Sequence, residues 1–195
     1  MSTAIRLLTL EDLDGYIEHI GAHATESGRD GDPVFMPYGK DKPFVAAPSR
    51  ELREKSWAVA VGEPGWNRCW GFFDGENLVG HAELSGSAID SAMHRVRLGM
   101  GLMRPYRRQG HGRRLIVTLI DWARGQGFID WIDLGVFAGN KAGQALYEST
   151  GFVVVTTTVD SFRVDGASID DIEMTLPLSD HLSDLPSDRP SAQEA

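Results

Sequence analysis

Residues 95–126 read Arg95-Val-Arg-Leu-Gly-Met-Gly-Leu-Met-Arg-Pro-Tyr-Arg-Arg-Gln-Gly-His-Gly-Arg-Arg-Leu-Ile-Val-Thr-Leu-Ile-Asp-Trp-Ala-Arg-Gly-Gln126. Arg95–Met103 reads as a strand. From Gly110 to Gln126 the pattern is helical, with Leu115, Ile116, Leu119, Ile120 and Ala123 on one side and Gly125 and Gly127 as stops. Between them lies Arg107-Arg-Gln-Gly110-His-Gly112, a glycine-bearing turn at the start of a helix. A helix N-terminus leaves backbone N–H groups without partners and carries the positive end of the macrodipole, so it attracts anions. Glycines there let phosphate oxygens approach the backbone, because no Cβ intrudes. The turn lacks the Gly-Lys-Ser/Thr of a Walker loop, and Gly99-Met-Gly101 lacks the third glycine of a dinucleotide fingerprint.

Outward from this unit, residues 3–8 read as a strand, and Thr9 with Asp12 as a capping-box variant ahead of a helix over 10–22. Residues 21–48 are broken by Gly and Pro and carry the apolar groups Phe35-Met-Pro-Tyr38 and Phe44. A loop of that length is either functional or disordered, and its aromatics fit a substrate-side element or a packed cover. Ser49 is the expected N-cap of a second helix running to about Val61. Strands follow at 67–73 and 78–85 around Asp74-Gly-Glu-Asn77, then at 131–137, with a helix over 140–150 and a closing hairpin, 152–164 and 168–176, around Asp165-Gly166. The order β α α β β β α β α β β predicts an α/β fold with a mixed sheet flanked by helices, a single domain over 1–178. Residues 179–195, polar and rich in Ser and Pro, read as a flexible acidic tail.

The chain has 195 residues and a formal net charge of −9. Residues 93–114 contribute +7 through seven arginines and no acid, and the tail contributes −3, so the rest carries −13. That distribution suggests a local field for an anion inside an acidic domain, with a cationic partner favoured elsewhere. The acidic balance argues against nucleic acid. The absence of a membrane-length apolar run and of a charged-then-apolar leader leads us to expect a cytoplasmic protein. A single Cys69 excludes a disulfide framework, and the six histidines show no metal-ligand spacing, so no metal is expected.

Two motifs carry a family resemblance. Arg107–x–x–Gly110–x–Gly112 resembles the pyrophosphate-binding signature, Gln/Arg–x–x–Gly–x–Gly/Ala, of the GNAT superfamily of acetyl-CoA-dependent N-acetyltransferases. Further on, Val136-Phe-Ala-Gly-Asn140-Lys-Ala-Gly-Gln-Ala-Leu-Tyr147-Glu-Ser-Thr-Gly151-Phe152 is similar to the family's strand, Asn, Leu-Tyr and Gly-Phe landmark. The likeness covers about 66–178, and the final hairpin is similar to that of ribosomal-protein-acetyltransferase-like members. It implies a mostly antiparallel sheet whose central strands splay apart to hold acetyl-CoA as co-substrate. It also implies that the turn at Arg107, Arg108, Gln109, Gly110, His111, Gly112 and Arg113 holds the pyrophosphate, and that the strand end at Leu102, Met103 and Arg104 accepts the acetyl and pantetheine groups. Asn140 is the expected N-cap of its helix; by the same resemblance its side chain also touches the pantetheine arm, and Tyr147 serves as general acid toward the leaving thiolate.

Transfer to an amine also needs a proton acceptor. Many relatives carry a glutamate in the strand before the phosphate turn; here that strand has no carboxylate. Glu83 and His81, which strand alternation puts on one face, are candidates with Asp133 and His94, and Glu83 is preferred; a water relay is an alternative. No nucleophile constellation surrounds Cys69, so direct transfer is expected rather than an acetyl-cysteine intermediate. The acceptor is expected to be a small cationic amine or a peptide or protein amine, and a homodimer is compatible with such folds. The competing reading is a non-catalytic acyl-CoA-binding or regulatory module that keeps the cofactor motifs without a base.

Overall fold

The computed structural model describes residues 3–178. The strands are β1 (Thr3–Leu7), β2 (Asn67–Asp74), β3 (Asn77–Gly86), β4 (Arg95–Leu102), β5 (Trp131–Phe137), β6 (Val153–Val164) and β7 (Ala167–Pro177). They form one sheet in the order β1-β2-β3-β4-β5-β7-β6. Every neighbouring pair is antiparallel except β4 and β5. The helices are α1 (Leu13–Thr25), α2 (Ala46–Ala58), α3 (His111–Arg124) and α4 (Lys141–Glu148). The expected mixed, mostly antiparallel sheet is therefore present.

Local chemistry accounts for the elements. The five apolar positions expected on α3 are all buried against the sheet, where they meet Trp66, Phe72, Leu84 and Ile132. The opposite face carries a smaller core, built by Leu13, Tyr16, Ile17 and Ile20 of α1 on Leu8, Cys69 and Phe73. Asp165 and Gly166 both take positive φ, 50° and 80°, the conformation that a tight two-residue hairpin turn requires.

Two boundaries differ from expectation. α1 continues past Gly21 to Thr25, so the irregular segment is shorter than residues 21–48. α2 begins at Ala46 and ends at Ala58, with Val45 rather than Ser49 as its N-cap residue. Pro48 falls in the first helical turn, where an N–H has no intrahelical acceptor to lose, and so starts the helix instead of preceding it. The tail expected at 179–195 lies outside the described residues.

The seam between β4 and β5 matters most for the site. Their parallel pairing covers only Arg95–Arg97 against Trp131–Asp133, after which β4 stays on β3 and β5 stays on β7. Met103 donates its N–H to Val79 of β3 at 2.9 Å, so ladder alternation turns the N–H groups of Met100 and Leu102 toward the open seam.

Leu115 is fully buried at the centre of the larger core. Leu115→Ala is expected to lower unfolding free energy by about 2–5 kcal/mol, read by denaturant unfolding. A loss within about 0.5 kcal/mol would show that the α3–sheet interface does not carry the fold.

Candidate active site

The turn after β4 is built as the sequence implies for an anion cradle. Arg108 and Gly110 take φ of 58° and 81°, and Gly110 leads into α3. Among the described residues, none of the six backbone N–H groups of Arg108–Arg113 donates to an acceptor within the chain. Six consecutive free amides at a helix N-terminus fit a pyrophosphate. Space above Gly110 is open, whereas a Cβ on Gly112 would stand 2.9 Å from Leu146 Cδ2. Gly112 thus lets α4 close on the start of α3, which brings the Tyr147 helix up to the cradle. Arg113 donates to the Ser149 carbonyl at 2.7 Å and ties the same two elements. His111 lies against Phe72, ring centroids 4.5 Å apart, and its buried Nδ1 has no partner.

The arginines do not act as one field. Arg95 pairs with Asp133 (2.8 and 2.5 Å) and Arg97 with Glu173 (3.1 and 2.8 Å). Arg104 pairs with Asp30 (2.9 Å) and Asp32 (2.8 Å), and Arg107 with Asp32 (2.7 Å) and Glu26. The Glu26 carboxylate also accepts the Arg104 N–H at 3.1 Å. Four of the seven arginines are therefore neutralised by acids distant in the chain. Arg108, Arg113 and Arg114 have no ion-pair partner among the described residues; Arg108 and Arg113 lie on the turn itself, while Arg114 donates to the Thr3 hydroxyl at 3.0 Å and sits over the Phe72 ring. This corrects the reading of the island as a uniform anion site. The side chains of Arg104 and Arg107 brace the segment after α1 against the end of β4, and Arg107 also donates to the Leu102 carbonyl at 2.7 Å.

Tyr147 sits on α4 with its ring edge-on to Phe152, centroids 5.9 Å apart. Among the described residues its hydroxyl has no hydrogen-bond partner, and desolvation pushes the phenol up to about 12, so it stays protonated across the neutral range. Asn140 caps α4, its side chain accepting the Gly143 N–H at 3.0 Å.

On the other side of the seam, Gly99 and Gly101 replace side chains on β4, and β3 and α1 fill the space. A Cβ on Gly99 would stand 3.3 Å from Glu83 Oε1, and one on Gly101 would stand 2.7 Å from both His23 and His81. Glu83 accepts from Arg53 Nη2 (2.9 and 3.2 Å), Asn67 (3.3 Å) and the Tyr16 hydroxyl (3.4 Å). His81 is buried, 2.9 Å from His19. The other two candidate proton acceptors stand elsewhere. Asp133 is held by Arg95 and the Thr175 hydroxyl (2.7 Å), and His94 is exposed just before the opposite end of β4.

Sequence reasoning missed Arg53, Tyr16 and Asn67 around Glu83, the Glu26–Asp32 brace, and the companions His19 and His23. Tyr16, His19 and His23 follow a helical stripe that the sequence does display; nothing local marks Arg53 or Glu26.

The sequence model of the acetyltransferase (GNAT) family matches residues 37–152. The chain is a member of the GNAT acetyltransferase family. Solved structures share its fold. A GNAT superfamily phosphinothricin acetyltransferase from Sinorhizobium meliloti, in complex with acetyl-CoA, is 17% identical with a TM-score of 0.76, covering 96% of this chain and 95% of its own. The yncA protein of Salmonella typhimurium, solved with its cofactor acetyl-CoA, is 19% identical at a TM-score of 0.74 and covers 99% and 100%. The ribosomal-protein-S18-alanine N-acetyltransferase of Escherichia coli is 23% identical at 0.66, covering 91% and 95%. No curated protein sequence matches the chain. Among the described residues of this GNAT protein, no helix is long and apolar enough to cross a membrane.

The histidines beneath β4 make its stability pH-dependent. Burial lowers His19 to about 4; burial, then His19 and Arg107, lower His23 to about 3. Unfolded histidines take up protons below about pH 6.5. The folded protein refuses those protons until far lower pH, so stability falls as pH drops from about 6.5 toward 4. Each group contributes about 1.4 kcal/mol per pH unit. Urea unfolding between pH 7 and 5 should show a steeper loss in the native chain than in a His19→Gln, His23→Gln variant; equal slopes would contradict this origin.

Proposed function

We propose that this protein transfers an acetyl group from acetyl-CoA directly to an amine, with Tyr147 as general acid and Glu83 as proton acceptor. The observation that carries the reading is the unpartnered, protonated Tyr147 hydroxyl on a helix held against six free amides at the mouth of an open seam. Bound acetyl-CoA supplies an activated thioester, whose carbonyl is open to attack.

The turn from Arg108 to Arg113 would hold the pyrophosphate with its amides, and the charges of Arg108 and Arg113 on that turn would add to the attraction. The seam-facing N–H of Leu102 would hold the cofactor's polar arm, since the N–H groups of Met103 and Arg104 are already used by Val79 and Glu26. Arg107 acts here by holding the turn in place, and Asn140 by fixing the start of the Tyr147 helix. Tyr147 donates its proton as the thiolate leaves; a phenol that remains protonated through neutral pH is suited to that step. Glu83 reaches the seam across Gly99 from the neighbouring strand, which supplies the carboxylate that β4 lacks. It takes the amine proton directly or through one water.

The acidic remainder of the chain favours a cationic amine as acceptor, either a small molecule or a peptide amine. One observation favours the competing module: both Glu83 oxygens already accept from Arg53, so neither is left without a partner. Thiol release from acetyl-CoA, assayed with a panel of polyamines, amino acids and short peptides, separates the two. Binding without turnover on any amine would establish the module. Tyr147→Phe is expected to lower kcat by about 10²–10⁴ at unchanged acetyl-CoA affinity; an unchanged kcat would remove Tyr147 from the chemistry.

A further inference from the structure

We propose that Arg53 of α2 is a positioning residue, which holds the Glu83 carboxylate at the place a β4 side chain would occupy and so aims it at the seam. The inference rests on the reading of Glu83 as proton acceptor and adds what fixes its geometry.

Glu83 sits on β3, paired across to Cys69 of β2 and Gly99 of β4. A strand side chain stands roughly perpendicular to its sheet, so reaching over the next strand needs both room and a tether. Gly99 provides the room. The tether is an end-on grip in which one Arg53 nitrogen, Nη2, contacts both Glu83 oxygens and also donates to the Tyr16 hydroxyl at 3.2 Å. Arg53 and Glu83 side chains are each 16% exposed, and neither has another ion-pair partner among the described residues. Arg53 Nε is buried without an acceptor, and among the described residues the guanidinium makes no side-chain hydrogen bond outside this grip. Asn67 adds a donor from β2 and is itself fixed by Trp57 of α2, whose Nε1 donates to Asn67 Oδ1 at 2.8 Å. α2 therefore controls the carboxylate twice, once directly and once through Asn67. The other titratable groups against Glu83 are Tyr16 of α1 and Cys69 of β2, both buried, with His81 two residues along the same face of β3. Arg53 is the only cation that contacts the carboxylate among the described residues, and it does not face the free amides of the turn.

The test is a double-mutant cycle on kcat with the best amine of the panel, together with the 13C carboxyl resonance of Glu83. Arg53→Gln should lower kcat about ten- to a hundredfold, the cost of a misplaced catalytic group, with KM for acetyl-CoA unchanged. Arg53→Lys should restore most of it. In a Glu83→Gln background, Arg53→Gln should cost nothing more, because Arg53 acts through that carboxylate. Full additivity would overturn the proposal. Gly99→Ala keeps every charge and every partner yet crowds the carboxylate; it should lower kcat similarly, and a native kcat there would also overturn it. A native kcat in Glu83→Gln would instead sink the reading of Glu83 as proton acceptor. The resonance then judges Arg53 independently: it should shift in Arg53→Gln and return in Arg53→Lys, and an unmoved signal counts against the grip.

Discussion

Five of the six edges shared by the seven strands are paired along most of their length; the sixth, between β4 and β5, is paired for three residues and then opens. That seam is the constraint from which the site follows. Parallel pairing starts at Arg95 and Trp131, where Arg95 and Asp133 join the two strands by side chains as well as backbone. Beyond it, β4 follows β3 and β5 follows β7, so backbone N–H groups of β4 are left facing a gap. An unpaired N–H at a buried site is costly unless something accepts it. The gap is thus a place where the fold leaves hydrogen-bonding capacity for a ligand, and the free amides of the following turn extend it toward an anion.

Charge is arranged around that seam by long-range pairing. The acids of the segment after α1 take Arg104 and Arg107 out of the arginine-rich stretch and use them to brace the end of β4, while acids of β5 and β7 take Arg95 and Arg97. What is left without an ion pair among the described residues is Arg108 and Arg113 on the turn, and Arg114, which is turned toward Thr3 and Phe72. The glycines complete the arrangement by what they omit. Gly112 lets Leu146 of α4 onto the start of α3, while Gly99 admits Glu83 and Gly101 admits His23 and His81, so α1 and β3 can reach a strand that has no functional side chain of its own on that face.

Much of this is legible in the sequence. The helical stripe of α3, the Asp-Gly turn, the strand–glycine turn–helix unit and the Asn140 cap are local patterns, dictated by residues within a few positions of one another, and the structure has each where the pattern puts it. The start of α2 was misread because Pro48 looks the same before a helix and inside its first turn. The charge pattern was legible only as a sum. Arg104 and Asp32 stand 72 residues apart, and no spacing rule connects them.

By itself the sequence determined the order of elements, the buried stripes of α1 and α3, the conformation of the glycine turns and the two motifs of the family, because each depends on backbone geometry and burial over a short stretch. Only the tertiary structure decided which arginines are taken up in ion pairs, that Glu83 of β3 lies against Gly99, and that Arg53 contacts its carboxylate. Those outcomes depend on which side chains meet across the sheet and between α1, α2 and the strands. Ion pairs and cross-strand contacts act over a few ångströms of space, whatever the distance along the chain.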